Sequence, residues 1–247
     1  MNECFLKLNE DKTEFLVLGS RQQLSKIKKG HIRVGSEHIV PTDKARNLGV
    51  IFNSTMTHDM HISNIVKSAN YNLRNLRAIR NYLTPKTTEQ LIHAFVTSYL
   101  DNCNSLLYGL PQYQIHRLQK IQNIAARLVT KSRRSTRTTQ LHVLKNLHWL
   151  PLEQRIKYKI LVLTYRSLHN LAPSYISSLI HPSSTTRTGL RSSHSVKLKE
   201  PRTKRSWGDR AFSAAAPRLW NSLPHSIRIS STLQTFQRNL KTYLMSK

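Results

Sequence analysis

The chain is short of several things that define common protein classes. Only two of its 247 residues are cysteine, Cys4 and Cys103. They cannot make a disulfide framework or a four-ligand zinc site, and such sparing use fits a reducing, intracellular setting, nucleus or cytoplasm. Glycine occurs seven times, and no glycine-rich phosphate loop is present. No apolar run comes near the ~18–20 residues of a membrane span, and nothing at the N-terminus reads as a signal peptide, so no membrane partner is expected. Asn53-Ser54-Thr55 matches a glycosylation sequon, which reads as chance without a secretory signal. The most telling shortage is of negative charge: twelve acidic residues stand against 39 basic ones, a net +27.

So few carboxylates limit the available chemistry. Enzymes acting on phosphodiesters need clustered carboxylates to hold two metal ions. The aspartates here, Asp11, Asp43, Asp59, Asp101 and Asp209, are isolated, with no Asp-Asp or Asp-x-Asp pair. Glu10-Asp11-Lys12 reads as a solvated turn. There is no HExxH and no nucleophile elbow, and the spacing of His142 and His148 does not suit a shared metal. The residue types describe a chain that binds polyanions, holds no metal or cofactor of its own, and does no chemistry by itself.

What is abundant is positive charge, unevenly placed. Residues 111–180 hold twelve basic residues and one acidic residue, Glu153; residues 181–247 hold thirteen and two. An asymmetry of this kind points to nucleic acid or another anionic surface. The densest stretch, Pro111 to Arg137, reads as a helix with two faces. Ile115, Leu118, Ile121, Ala125, Leu128 and Val129 recur at helical spacing. At ~100° per residue, Arg117, Lys120, Arg127, Lys131 and Arg134 fall on the other side, with Arg133 beside them. A solvated helix mixes signs so that i,i+4 pairs form; a face of one sign repels itself unless something anionic lies on it. The expected partner is a phosphate backbone.

Around that helix the pattern predicts a mainly α chain with a small β-rich N-terminal piece. Residues 5–9 and 14–19 read as strands, 32–34 and 38–40 as a hairpin about Gly35, and Ala45 to Phe52 as one more strand with a bulge at Gly49. From Met56 the period is helical. Ile62, Ile65, Val66, Ala69, Leu73, Leu76 and Ile79 form one stripe; Thr84-Pro85 starts a second helix whose stripe runs from Leu91 to Cys103. A short helix is expected over 138–147. Leu152 to Asn170 reads as a central, buried helix whose Arg155, Lys157, Lys159 and Arg166 must snorkel or reach a ligand. Another short helix is expected to Ile180, a strand over 195–199, a basic loop over 201–205, an apolar patch over 211–224, and a last helix opened by a Ser231/Gln234 capping box. The domain boundaries expected are 1–55, 56–180 and 181–247, the last a basic C-terminal appendage.

Several motifs carry a family resemblance. LNEDKTEF, Leu8 to Phe15, resembles the segment after the catalytic aspartates in reverse transcriptases of non-LTR (LINE-like) retrotransposons. Asn47-Leu48-Gly49-Val50 resembles the strand that closes their palm. LHWLPLEQRIKYK, Leu147 to Lys159, looks like their helical thumb, and APRLWNSLP, Ala216 to Pro224, is similar to C-terminal ends of such element-encoded proteins. The resemblance spans essentially the whole chain. It implies the end of a palm, a thumb-like bundle, and a parent activity of RNA-directed DNA synthesis. It also implies Mg²⁺ held by an aspartate pair that would lie before Met1, so this chain alone is expected not to polymerise. By position Lys12 would be an auxiliary lysine near the incoming nucleotide's phosphates; a solvated turn lysine is the plainer reading. Arg155 and Lys159 join the helix cations as expected contacts to template-primer RNA or DNA, and the palm and fingers portion is a further expected partner. Trp149 and Trp220 read as core aromatics, Trp149 with stacking on a base as the other option. The alternatives are a basic adaptor domesticated from such an element, or a relic without function.

Overall fold

The change of period after Met56 is a change from short strands to helices. The computed structural model describes Asn9 and residues 12–27, 30–35, 37–132, 144–183 and 197–246. The expected strand over 5–9, most of the expected helix over 138–147, and Arg133 and Arg134 lie outside the described residues, except that 144–146 are helical. The fold is mainly α with a small β piece. It divides into two compact units, residues 1–67 and 68–247.

In the first unit, three two-stranded ladders replace a continuous sheet among the described residues. β1 (Phe15–Leu16) pairs in parallel with β4 (Pro41–Thr42), β2 (Ile32–Val34) antiparallel with β3 (Glu37–Ile39), and β5 (Lys44–Asn47) antiparallel with β6 (Val50–Asn53). A four-residue helix, α1 (Arg21–Leu24), follows β1, opened by a reciprocal Ser20/Gln23 capping box. The hairpin about Gly35 is as expected. The single strand over 45–52 is corrected to a hairpin. Leu48 and Gly49 both have positive φ, 47° and 84°, and Asn47 pairs with Val50 across them. Two central residues at positive φ make the tight turn whose twist matches the flanking strands, so Gly49 turns the chain rather than bulging it. Asn53 then starts the long helix α2 (Asp59–Ile79): its Oδ1 accepts from the N–H groups of Thr57 and His58 at 3.0 and 3.3 Å. His58 and His61 are buried beside Phe52, and Ile51 N–H donates to His61 Nδ1 at 3.5 Å. Burial alone lowers the His61 pKa from its ordinary value.

The second unit takes the C-terminal part of α2, where Ala69, Leu73 and Leu76 are buried as the stripe requires, while Ile79 is exposed. Thr84 caps α3 (Pro85–Ile92) through Thr87 N–H, with Pro85 at the first position. The expected single helix to Cys103 passes through a wider turn, His93–Thr97, into α4 (Ser98–Asp101). The Phe95 carbonyl at that turn accepts from Asn72 Nδ2 at 2.8 Å, a partner outside the ladder. Ile92, Val96 and Leu100 face inward; Phe95 and Tyr99 stay exposed. Gly109 (φ 69°) leads into the basic helix α5 (Gln112–Thr130). A Cβ there would meet Arg210 Cγ at 2.7 Å, so glycine is required both by the backbone and by the neighbour.

The helix α6 (Leu152–Leu168) is central, as its apolar surroundings predict. It packs against α5, the short α7 (Ser174–Ser177), α9 (Phe212–Asn221) and α11 (Leu233–Ser246); α8 (Ser206–Arg210) and α10 (His225–Arg228) complete the unit. The residues beyond 205 therefore build core. Tyr165 stacks on Phe236 with ring centroids 4.4 Å apart, Trp220 lies 5.7 Å from Phe236, and the Tyr165 hydroxyl donates to Ser230 O at 2.9 Å. The last helix is capped by Thr232, whose Oγ1 accepts from Thr235 N–H at 3.2 Å, one residue beyond the expected Ser231. Of the expected strand over 195–199, residues 195 and 196 lie outside the described residues, and Leu198 forms a bridge with Pro182.

Candidate nucleic-acid interface

The helix α5 ends earlier than its pattern suggests, and that ending builds the site. Lys131 adopts a left-handed conformation (φ 53°) directly after Thr130, which stops the helix and leaves its last carbonyls without intrahelical donors. Arg80, at the end of α2, supplies them. Its Nε donates to Leu128 O at 2.7 Å and its Nη2 to Val129 O at 2.9 Å, while Nη1 reaches Leu83 O at 2.8 Å. Arg80 is 5% exposed, so this is a buried fork, and a cation at a helix C-terminus is favoured by the helix dipole. Reading the sequence missed Arg80. The signal was Arg77 and Arg80 at the end of the α2 stripe, three apart on one helix side.

This clamp joins α2 to α5 and opens a cleft of about 360 Å³ between them. Arg77, Arg80, Lys120, Arg127 and Lys131 line it with Ile124 and Leu128; no carboxylate does. Among the described residues, Arg77, Lys120, Arg127 and Lys131 form no ion pair. Arg127 is steadied by a bond from its Nε to Asn123 O at 3.2 Å. Three of the sequence-expected contacts, Lys120, Arg127 and Lys131, are thus brought together with two unexpected ones.

The buried side of α5 is wider than its apolar stripe. Gln114, Gln122 and Asn123 are buried as well. Gln119 Nε2 donates to Gln122 Oε1 at 3.0 Å and Asn123 Oδ1 at 2.9 Å; its Oε1 accepts from Leu152 N–H at 2.7 Å, and Gln122 Nε2 donates to Leu150 O at 2.8 Å. This amide seam grips the start of α6 and fixes the rotation of α5, because buried amides left unpaired are costly. The basic face is therefore held at one angle.

The remaining expected contacts fall elsewhere. Arg117 is half-buried and donates to Gln114 Oε1 at 3.2 Å, outside the cleft lining. Arg155 is bonded within the protein. Its Nε donates to Asp101 Oδ1 at 2.9 Å and its Nη2 to Oδ2, a two-pronged pair that ties α6 to α4. That guanidinium is engaged inside the protein. Arg155 and Lys159 line a second cleft of about 550 Å³ that also holds Glu89 and Asp101. Of their neighbours on α6, Lys157 pairs with Glu153 at 2.7 Å and Arg166 donates to Leu171 O at 3.1 Å. Trp149 is 5% exposed and its indole N–H donates to Glu89 Oε1 at 3.0 Å, which makes it a core residue. Lys12, in the first unit, is exposed in a turn closed by Asn9 Oδ1, which accepts from Lys12 N–H at 3.1 Å.

Among the described residues no group of three or more His, Cys, Asp or Glu side chains could hold a metal ion, and no helix is long and apolar enough to cross a membrane. Comparison of the chain with protein-family models, with curated proteins and with solved structures gives no match.

Proposed function

We propose that this chain grips the sugar-phosphate backbone of RNA or DNA as the C-terminal part of a reverse transcriptase of the non-LTR retrotransposon type, in the nucleus or cytoplasm. The single observation that carries the binding reading is the α2–α5 cleft, where cations from two helices converge without a carboxylate in the lining. Elsewhere in this unit basic side chains do find carboxylates: Arg155 finds Asp101, Lys157 finds Glu153 and Arg218 finds Asp209. A cleft that has none offers its charge to an outside anion. The retrotransposon reading adds only the sequence motifs LNEDKTEF, NLGV, LHWLPLEQRIKYK and APRLWNSLP. On that reading Mg²⁺ and the catalytic carboxylates belong to a palm, and these helices hold template and primer.

The binding should be indifferent to sequence and sensitive to salt. With Arg80 engaged by three carbonyls, four cations remain for phosphates, so log K should fall against log salt with a slope of about −3.6 on a duplex. That corresponds to about 10²-fold between 50 and 200 mM salt. The test is titration of an RNA–DNA hybrid at several salt concentrations, with wild type and the double variant Arg127→Gln/Lys131→Gln. The slope should drop by about half in the variant. An unchanged slope would remove the cleft from the interface.

A further inference from the structure

A second cationic surface lies outside the α2–α5 cleft, in the loop from Leu198 to α8. This loop is laced to α9 at three points. Leu198 N–H donates to Asn221 Oδ1 at 2.9 Å, and Asn221 Nδ2 donates back to Leu198 O at 2.9 Å and to Glu200 Oε1 at 2.8 Å. Further on, Asp209 Oδ1 accepts from Thr203 Oγ1 at 2.5 Å and from Arg218 Nη2 at 3.0 Å. Those two bonds, Thr203 first, hold the Asp209 carboxyl below its usual range. Gly208 lets the loop close on itself, since a Cβ there would meet Thr203 Cβ and Cγ2 at 3.2 Å.

The lacing sorts the side chains by charge. Both carboxylates of the segment, Glu200 and Asp209, are bonded to α9. Arg202, Lys204 and Trp207 are left exposed, with Trp207 39% exposed where Trp149 and Trp220 are 5% and 1%. A lone exposed apolar residue is ordinary. An exposed indole in the first turn of α8, next to a laced loop with exposed cations, is the arrangement that stacks a base and holds its phosphates. A duplex keeps its base faces covered and offers an indole nothing to stack on. A membrane surface would need a broader apolar face than one indole flanked by Arg205, Ser206 and Gly208.

We propose that the Arg202–Trp207 segment, a loop running into α8, is a contact surface for single-stranded nucleic acid, in which Trp207 stacks on a base and Arg202 and Lys204 lie against adjoining phosphates. Thr203 and Asp209 are its positioning residues.

Tryptophan fluorescence reads this surface directly, because Trp207 is the exposed indole and the other two are buried. Titrating the full chain with an oligothymidylate at low salt should quench part of the emission, and Trp207→Phe should abolish that response. Trp207→Ala should weaken binding of a labelled oligothymidylate about tenfold while leaving affinity for an RNA–DNA hybrid within about twofold. Arg202→Glu/Lys204→Glu should weaken both quenching and affinity, with circular dichroism confirming that each variant folds. The quenching should survive in Arg127→Gln/Lys131→Gln, which separates this surface from the cleft. Absence of quenching, an unchanged oligothymidylate affinity in Trp207→Ala, or an equal loss on strand and hybrid would overturn the proposal. So would a blue shift seen only with phosphatidylserine vesicles.

Discussion

In the cleft between α2 and α5, Arg127 and Lys131 meet no carboxylate; in the cleft that α6 borders, Arg155 is locked to Asp101 by two bonds. The first cleft is lined by cations and aliphatic side chains, the second by Glu89 and Asp101 as well as by Arg155 and Lys159. Residue type therefore says little about an arginine's job. What surrounds the guanidinium decides whether it holds the fold together, as Arg80 and Arg155 do, or lines a cleft without a carboxylate, as Arg77 and Arg127 do. Arg80 does the first within the very cleft that does the second, and it makes the geometry on which the offered cations depend.

Four measurements would break or sharpen that contrast. The largest effect is expected at Arg80. Arg80→Ala strips donors from three carbonyls, that of Val129 buried and those of Leu83 and Leu128 part-buried, and should cost about 3 kcal/mol in urea unfolding. Arg80→Lys should recover only part of this, because an ammonium cannot bridge the same fork. Equal stability of Arg80→Ala and wild type would deny the clamp. Next comes Asp101→Asn, which weakens the Arg155 pair. With the Asp101 side chain 41% exposed, solvent screening limits the loss to about 1 kcal/mol. Its salt slope on nucleic acid should stay at the wild-type value, and a changed slope would return Arg155 to the interface. Lys120→Gln should show the converse pattern: stability within about 0.5 kcal/mol of wild type and a salt slope smaller by about one.

The smallest effect is expected from pH, in the first unit, where the buried His61 forms no ion pair among the described residues. Burial depresses His61 in the folded state, so the unfolded chain takes up its proton first. Stability should hold above the ordinary histidine value near 6.5 and decline as pH falls through it. Thermal unfolding at pH 7.5 and 5.5 measures this, and His61→Gln should flatten the difference.

Periodicity carried much of the fold because helices announce their buried stripe. Ile62, Ile65, Ala69, Leu73 and Leu76 are buried where a 3.6-residue repeat puts them, and Thr84-Pro85 caps as its chemistry requires. The turn at Leu48–Gly49 was hidden because leucine seldom takes positive φ, so the residues resembled a continuous strand. The site was legible only where one helix supplies it. Lys120, Arg127 and Lys131 lie on a face that the helical wheel finds. Arg77 and Arg80 come from another helix, and a wheel cannot show that two helices meet. The Arg155 pair was hidden for the same reason: its partner Asp101 is 54 residues away.

The amide seam of Gln119, Gln122 and Asn123 makes α5 a keyed shaft. Its charges can be exchanged one at a time with little mechanical consequence, but its phase cannot. One residue inserted between Asn123 and Ile124 would turn Arg127 by about 100° about the helix axis, and would carry Ala125 and Val129 out of the interior. The charge of this helix can therefore be retuned by substitution, while insertions and deletions across that short span would break its packing.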